Sequence, residues 1–104
     1  MTPHQKDVPT RFSRDMSVTA AEWDRALRGG VGAHDLQVAG PGRALVQLLE
    51  GGRLLLQWHD LPPLQIALMR MARLRVDFAF DEVDAVRRSA FMQHFDRFTQ
   101  RGGG

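Results

Sequence analysis

Two apolar seven-residue runs joined by a glycine pair dominate the chain: ALVQLLE (residues 44–50), Gly51-Gly52, and RLLLQWH (residues 53–59). Short apolar runs bounded by glycine read as strands, and a two-residue Gly-Gly loop suits the primed turns that hairpins prefer. A tight register sets Glu50 opposite Arg53, Leu49 opposite Leu54, Gln47 opposite Leu56 and Leu45 opposite Trp58. Leu45, Leu49, Leu54, Leu56 and Trp58 then share a face with Gln47. Val46, Leu48, Leu55, Gln57 and His59 occupy the other. Both faces are apolar, which is more than a sheet wetted on one side requires. The expectation is that the face holding Val46, Leu48 and Leu55 is covered within the chain or by a second subunit, with a homodimer as the leading reading.

Further strands flank this hairpin. Arg73 to Phe80 alternates cleanly, with Leu74, Val76, Phe78 and Phe80 on one side and Arg73, Arg75, Asp77 and Ala79 on the other. Leu64 to Met71 is apolar enough for strand or helix. The alternation of Leu64, Ile66 and Leu68 favours strand, with Leu61-Pro62-Pro63 interrupting the sheet ahead of it. Arg11 to Val18 reads as an edge strand. Asp35 to Ala39 reads as a short strand that ends at the turn Gly40-Pro41-Gly42.

Two helices frame the strands. Thr19 to Glu22 (TAAE) is a capping-box pattern that opens a helix with Trp23, Ala26 and Leu27 on one side, closed by Gly29-Gly30. The second helix starts at Asp81 or Asp84 and runs to about Gln100, before Arg101 and the terminal glycines. At about 100° per residue, Val83, Ala90, Phe91, Phe95 and Phe98 share a broad face that also holds Arg87 and His94. Ser89, Met92 and Asp96 point away. Phe91, Phe95 and Phe98 are expected to anchor this helix on the sheet.

The predicted fold is α+β: one domain over 1–104, an antiparallel sheet of about five to six strands and two helices. The order is β-α-β-β-β-β-(β)-α, with the long C-terminal helix packed on one sheet face. Residues 1–9 are expected to form a loose arm and 101–104 a flexible glycine tail. The element order resembles the helix-grip arrangement in outline, which implies a placement of elements and no activity.

Composition excludes several function classes. The chain has no cysteine, so disulfides, zinc–thiolate sites and thiol nucleophiles are absent. The pI near 10.4 is not a strong positive field, because the net charge is only +2. Thirteen of the fourteen basic residues are arginine and none is balanced by tyrosine, so a small excess lifts the pI. The arginine bias reads as genome composition of a bacterial kind. No run is long and apolar enough for a bilayer, and the first residues lack an apolar leader, so a cytoplasmic location is expected. His4, His34, His59 and His94 stand at no ligand spacing, so neither a metal nor a cofactor is expected. No nucleophile motif surrounds Ser13, Ser17 or Ser89.

The residues left as candidates are few. His94 and Arg87 either form an anion or acid–base site beneath the sheet, or pack, His94 among the phenylalanines and Arg87 against an acid. Packing is the default reading, since a single His and Arg without a partner motif are common. His59, on a strand end, could line a pocket or a subunit contact. Arg70, Arg73, Arg75 and Arg88 could bind phosphate, but no aromatics interleave with them as in sheet-based RNA binders. The function expected is therefore self-association or an accessory, partner-binding role rather than catalysis. The alternatives are a small anionic-ligand binder or simple acid–base enzyme using His94 and Arg87 and, more weakly, nucleic-acid binding.

Overall fold

The computed structural model describes residues 7–103, with side chains for residues 7–99. The elements follow in the order β1 (Arg11–Met16), α1 (Ala20–Gly30), β2 (Asp35–Val38), β3 (Arg43–Gln47), β4 (Arg53–Ile66), β5 (Met69–Asp81) and α2 (Ala85–Gly103). All strands pair antiparallel in one five-stranded sheet, ordered β1-β5-β4-β3-β2. The α+β class and the helix resting on the sheet agree with the sequence reading. Most of the expected N-terminal arm lies outside the described residues. Val8, at its end, is held: it packs against the core, and its carbonyl accepts from Arg88 Nε at 2.8 Å. At the other terminus the backbone of α2 stays helical through Gly103, beyond Gln100.

The β3–β4 register overturns the tight hairpin. Gln47, not Glu50, lies opposite Arg53, and Val46 lies opposite Leu54. Residues 48–52 form the connection, closed by the Leu48 amide donating to the Gly52 carbonyl at 3.1 Å. The slip is three residues, an odd number, so every β3 side chain changes face. Val46 and Leu48 therefore sit in the core, where Val46 has no exposed surface, while Leu55 stands on the opposite face. These three residues do not form one surface, and the expected interface of Val46, Leu48 and Leu55 is corrected accordingly. The reason for the longer loop is tertiary. An added Cβ on Gly52 would stand 2.3 Å from the Glu82 carbonyl oxygen, so the turn is pressed against the β5–α2 junction.

With that register one sheet face is apolar and the other polar. Ala44, Val46, Leu54, Leu56, Leu74, Val76, Phe78 and Phe80 point into the core, under both helices. The outer face carries Arg11, Ser13, Asp15, Arg75, Gln57 and Arg43, all exposed, around the half-buried Leu45. Ser13 donates to Asp77, Arg75 Nη2 reaches Ser13 at 3.1 Å, and Arg73 pairs with Asp15 at 3.1 Å. The Ser13 hydroxyl, then Arg75, hold the Asp77 carboxyl below its ordinary range. This is a solvated cross-strand network, as expected for the wet side of an antiparallel sheet.

The expected break at Pro62-Pro63 is a bulge instead. Leu61 pairs with Arg73 and Leu64 with Met71, so one extra residue is absorbed and β4 continues to Ile66. Residues 64–71 are strand, but they contain a reversal: Ala67 and Leu68 form the turn, with Ala67 at φ 54°. No glycine, proline or asparagine marks this turn, which hid it from the sequence.

Both helices follow from local chemistry plus one close contact. Thr19 Oγ1 accepts from the Glu22 amide at 3.1 Å, and Glu22 Oε1 accepts from the Thr19 amide at 2.8 Å, completing the capping box. Gly29-Gly30 does more than end α1. A Cβ on Gly30 would meet the Phe95 ring at 2.7 Å, so the missing side chain lets α2 approach. The buried arc of α2 is rotated from the sequence expectation. Phe91, Met92, Phe95 and Thr99 are buried, whereas Phe98 is 47% exposed over Gly29. Asp96 is half-buried and forms a forked pair with Arg14, whose guanidinium lies 5.6 Å from the Phe12 ring centre. The rotation arises because α2 packs against α1 as well as the sheet.

Two substitutions test this packing. Glycine-to-alanine ordinarily stabilises a helix interior by about 1 kcal/mol. Gly30→Ala should instead destabilise by about 1–2 kcal/mol, because overpacking at the buried Phe95 ring outweighs the helical gain. Phe95→Ala should cost about 3–5 kcal/mol. Urea unfolding of both variants is the measurement, and a Gly30→Ala protein as stable as wild type would mean that α2 does not rest on Gly30.

Candidate functional site

Arg87 and His94 line a cleft of about 360 Å³, together with Val31 to His34, Leu48 to Glu50, Ala90 and Phe91. Three segments build it: the turn after α1, the β3–β4 connection, and the edge of α2 that the rotated packing leaves uncovered. Its floor is apolar, with Phe91, Leu48 and Val31 all buried. Its rim carries the polar groups His34, His94, Arg87 and Glu50.

Each polar group is placed by a specific contact. The Arg87 amide donates to Asp84 Oδ1 at 2.9 Å, which caps the start of α2. The Arg87 side chain reaches back across the cleft, where Nη2 donates to the Gly51 carbonyl and Nε stands 3.6 Å from Glu50 Oε1. Glu50 itself is 80% exposed. His34 accepts the Leu49 amide on Nδ1 at 3.0 Å, so a neutral ring carries its proton on Nε2. Its ring centre lies 5.6 Å from that of Phe91. His94 is exposed, and its Nε2 would stand 3.2 Å from a Cβ on Gly32, whose φ is 60°. A side chain at Gly32 would therefore intrude on the ring.

Arg87 and His94, singled out in the sequence, line the same cleft, and two of its polar neighbours, His34 and Glu50, were not singled out with them. His94 is not the packed ring expected among the phenylalanines, because α2 is turned so that Phe91 and Phe95 go inward without it. Among the described residues the half-buried histidine is His34. Burial first, then the positive neighbours His94 and Arg87, push its pKa below the ordinary 6.5, with Glu50 opposing. No spacing in the sequence links His34 to α2, since the contact is tertiary. His59 lies on the outer face of β4, opposite Arg75, and takes no part in the cleft. Among the described residues no group of three His, Cys, Asp or Glu could hold a metal ion.

The arginine cluster is dispersed. Arg73 and Arg75 are paired on the outer face, and Arg88 is spent on the Val8 and Val83 carbonyls. Arg70 lies on the opposite face of β5 from Arg73 and Arg75. These four residues offer no common strip to a phosphate backbone.

A second surface stands apart from the cleft. β1 pairs with β5 only as far as Leu74, and β3 pairs with β4 only as far as Gln57. Beyond these points β4 and β5 continue as a two-stranded arm. The Leu61/Leu64 bulge keeps Leu61, Leu64 and Ile66 on one face, matched by Met71 and Met69. Leu64, Ile66 and Met69 are 41%, 54% and 62% exposed, and Leu68 at the tip is 98% exposed. The reverse face holds Asp60, Gln65, Arg70 and Ala72. The arm is therefore amphipathic, and it turns its apolar side to solvent on the outer side of the sheet.

The His34 geometry fixes a pH dependence. A folded-state pKa below 6.5 means that the unfolded chain binds the proton more readily. Stability should be insensitive to this ring above pH 6.5 and should fall as pH drops from there towards the folded-state value. His34→Gln should lack that step in acid-unfolding curves, whatever its absolute stability. Coincident wild-type and mutant pH profiles would show that the ring is not desolvated. Comparison with protein-family models, with curated proteins and with solved structures finds no match to the chain.

Proposed function

We propose that the protein works by association, and that its contact surface is the β4–β5 arm rather than the body of the sheet. The observation that carries this is the arm's apolar face: Leu61, Leu64, Ile66, Met69 and Met71 lie on one side of a hairpin, on the sheet face opposite α1 and α2. An isolated two-stranded ribbon is marginal in water, and an apolar face of this kind marks a surface that another molecule occupies.

A second copy is the partner favoured. On the β4 side, Pro62 and Pro63 remove two amides, so that edge is a poor template for pairing. On the β5 side, Met69 to Arg73 has no ladder partner beyond β4 among the described residues. Antiparallel self-pairing of that edge about a two-fold axis at Met71 sets Arg70 opposite Ala72 and Arg73 opposite Met69. No like charges then face each other, and the apolar faces of both arms become continuous.

Sedimentation or light scattering tests the proposal. The wild type should be dimeric at micromolar concentration. Leu64→Ser with Ile66→Ser should be monomeric and still folded, because both residues are exposed in the single chain, and its melting temperature should lose the rise with protein concentration that a dimer shows. A wild-type monomer, or a double variant that remains dimeric, would remove the arm from this role. Leu48→Arg is unsuitable for this purpose, since Leu48 is core and a buried charge there would unfold the chain.

A further inference from the structure

We infer that the cleft between α2 and the two loops binds a small organic carboxylate, its apolar body on Phe91, Leu48 and Val31 and its charge among His34, His94 and Arg87. The cleft lies on the helix side of the sheet, at the end of β4 opposite the arm, so the inference does not rest on the association of the chain.

The volume, about 360 Å³, falls in the range of small-molecule sites, which combine an apolar lining with a few convergent polar groups. The polar groups here are mostly donors. Arg87 is permanently charged, and its Nη1 has no partner among the described residues, while Nη2 donates to the Gly51 carbonyl and Nε stands 3.6 Å from Glu50 Oε1, beyond hydrogen-bond reach. His34 is pre-set as a donor through Nε2, because the Leu49 amide occupies Nδ1. His94 stands on the same rim, free of packing that would bury it. The single acid, Glu50, is largely in solvent and can swing clear of an incoming anion. Burial first, then His94 and Arg87, disfavour protonation of His34, with Glu50 opposing, in keeping with a rim that carries more positive than negative groups. An apolar floor wants an organic body, and a planar guanidinium with two imidazoles suits a planar carboxylate. Free phosphate would leave the floor unfilled.

Phenylacetate is the probe, followed by imidazole and amide NMR near pH 6.5 and by calorimetry. Saturable shifts are expected at the His34 and His94 rings and at the Leu49 amide. The neutral analogue 2-phenylethanol and inorganic phosphate should each bind at least about tenfold more weakly, the loss expected when one charge-assisted contact is removed. His94→Gln should weaken phenylacetate binding by about tenfold with the fold intact, since the ring is exposed. Ala90→Leu should block the cleft sterically without touching the charges. Absence of saturable shifts in the wild type would overturn the inference. So would equal affinity for phenylethanol, or binding unaffected by both His94→Gln and Ala90→Leu in proteins that melt as the wild type does.

Discussion

The ring of Phe95 is the contact on which the architecture depends, because sheet, α1 and α2 all meet there. It stands edge-on to Trp23 of α1 and to Phe78 of β5, each at 5.8 Å between ring centres, and it stacks with Phe91 at 5.9 Å. Gly30 yields the space in which it lies. Aromatic pairs favour such edge and offset geometries beyond their simple burial, so the arrangement fixes how α2 is rotated as well as where it sits. In a domain of 104 residues, one such cluster is a large fraction of the available core.

That rotation produces the cleft. Turning Phe91, Met92, Phe95 and Thr99 inward leaves Arg87, Ala90 and His94 along the opposite border of the buried arc. The turn after α1 and the β3–β4 connection then face this border across a gap. The connection is held in place by the glycine contact at Glu82, by the Leu49 amide on His34, and by Arg87 on the Gly51 carbonyl. The groups that would recognise a ligand thus also close the loop. Protonation of His34 would remove the acceptor for the Leu49 amide and loosen one of the three ties.

The arm has a different origin. Along most of β4 and β5 the alternation places apolar residues under the helices and polar ones in solvent. Beyond Leu74 the helices no longer cover the sheet, and the bulge at Pro62-Pro63 carries leucine and isoleucine to the outer face instead. A ribbon without the bulge would have returned Leu64 and Ile66 to the helix side, where nothing covers them either. The two prolines also disarm one edge, which leaves β5 as the edge able to pair.

What the sequence determined is what short-range chemistry controls. The capping box at Thr19–Glu22 forms as read, because donor and acceptor lie three residues apart. The period-two pattern of residues 73–80 fixed the inward face of β5, and the order of elements fixed the α+β class and the antiparallel sheet. That Arg87 and His94 border one surface was legible as well, since one helix carries both. The tertiary structure decided the rest. Gly51-Gly52 looked like a two-residue turn, but the connection spans residues 48–52, with Gly52 against the Glu82 carbonyl, and the resulting register puts Val46 and Leu48 in the core. Gly29-Gly30 looked like a helix stop, but its role depends on a ring from residue 95. The extra residue at the proline bulge, the turn at Ala67-Leu68, and the arrival of His34 beside α2 all arise from partners far along the chain. Periodicity reports which residues share a face; only packing decides what each face meets.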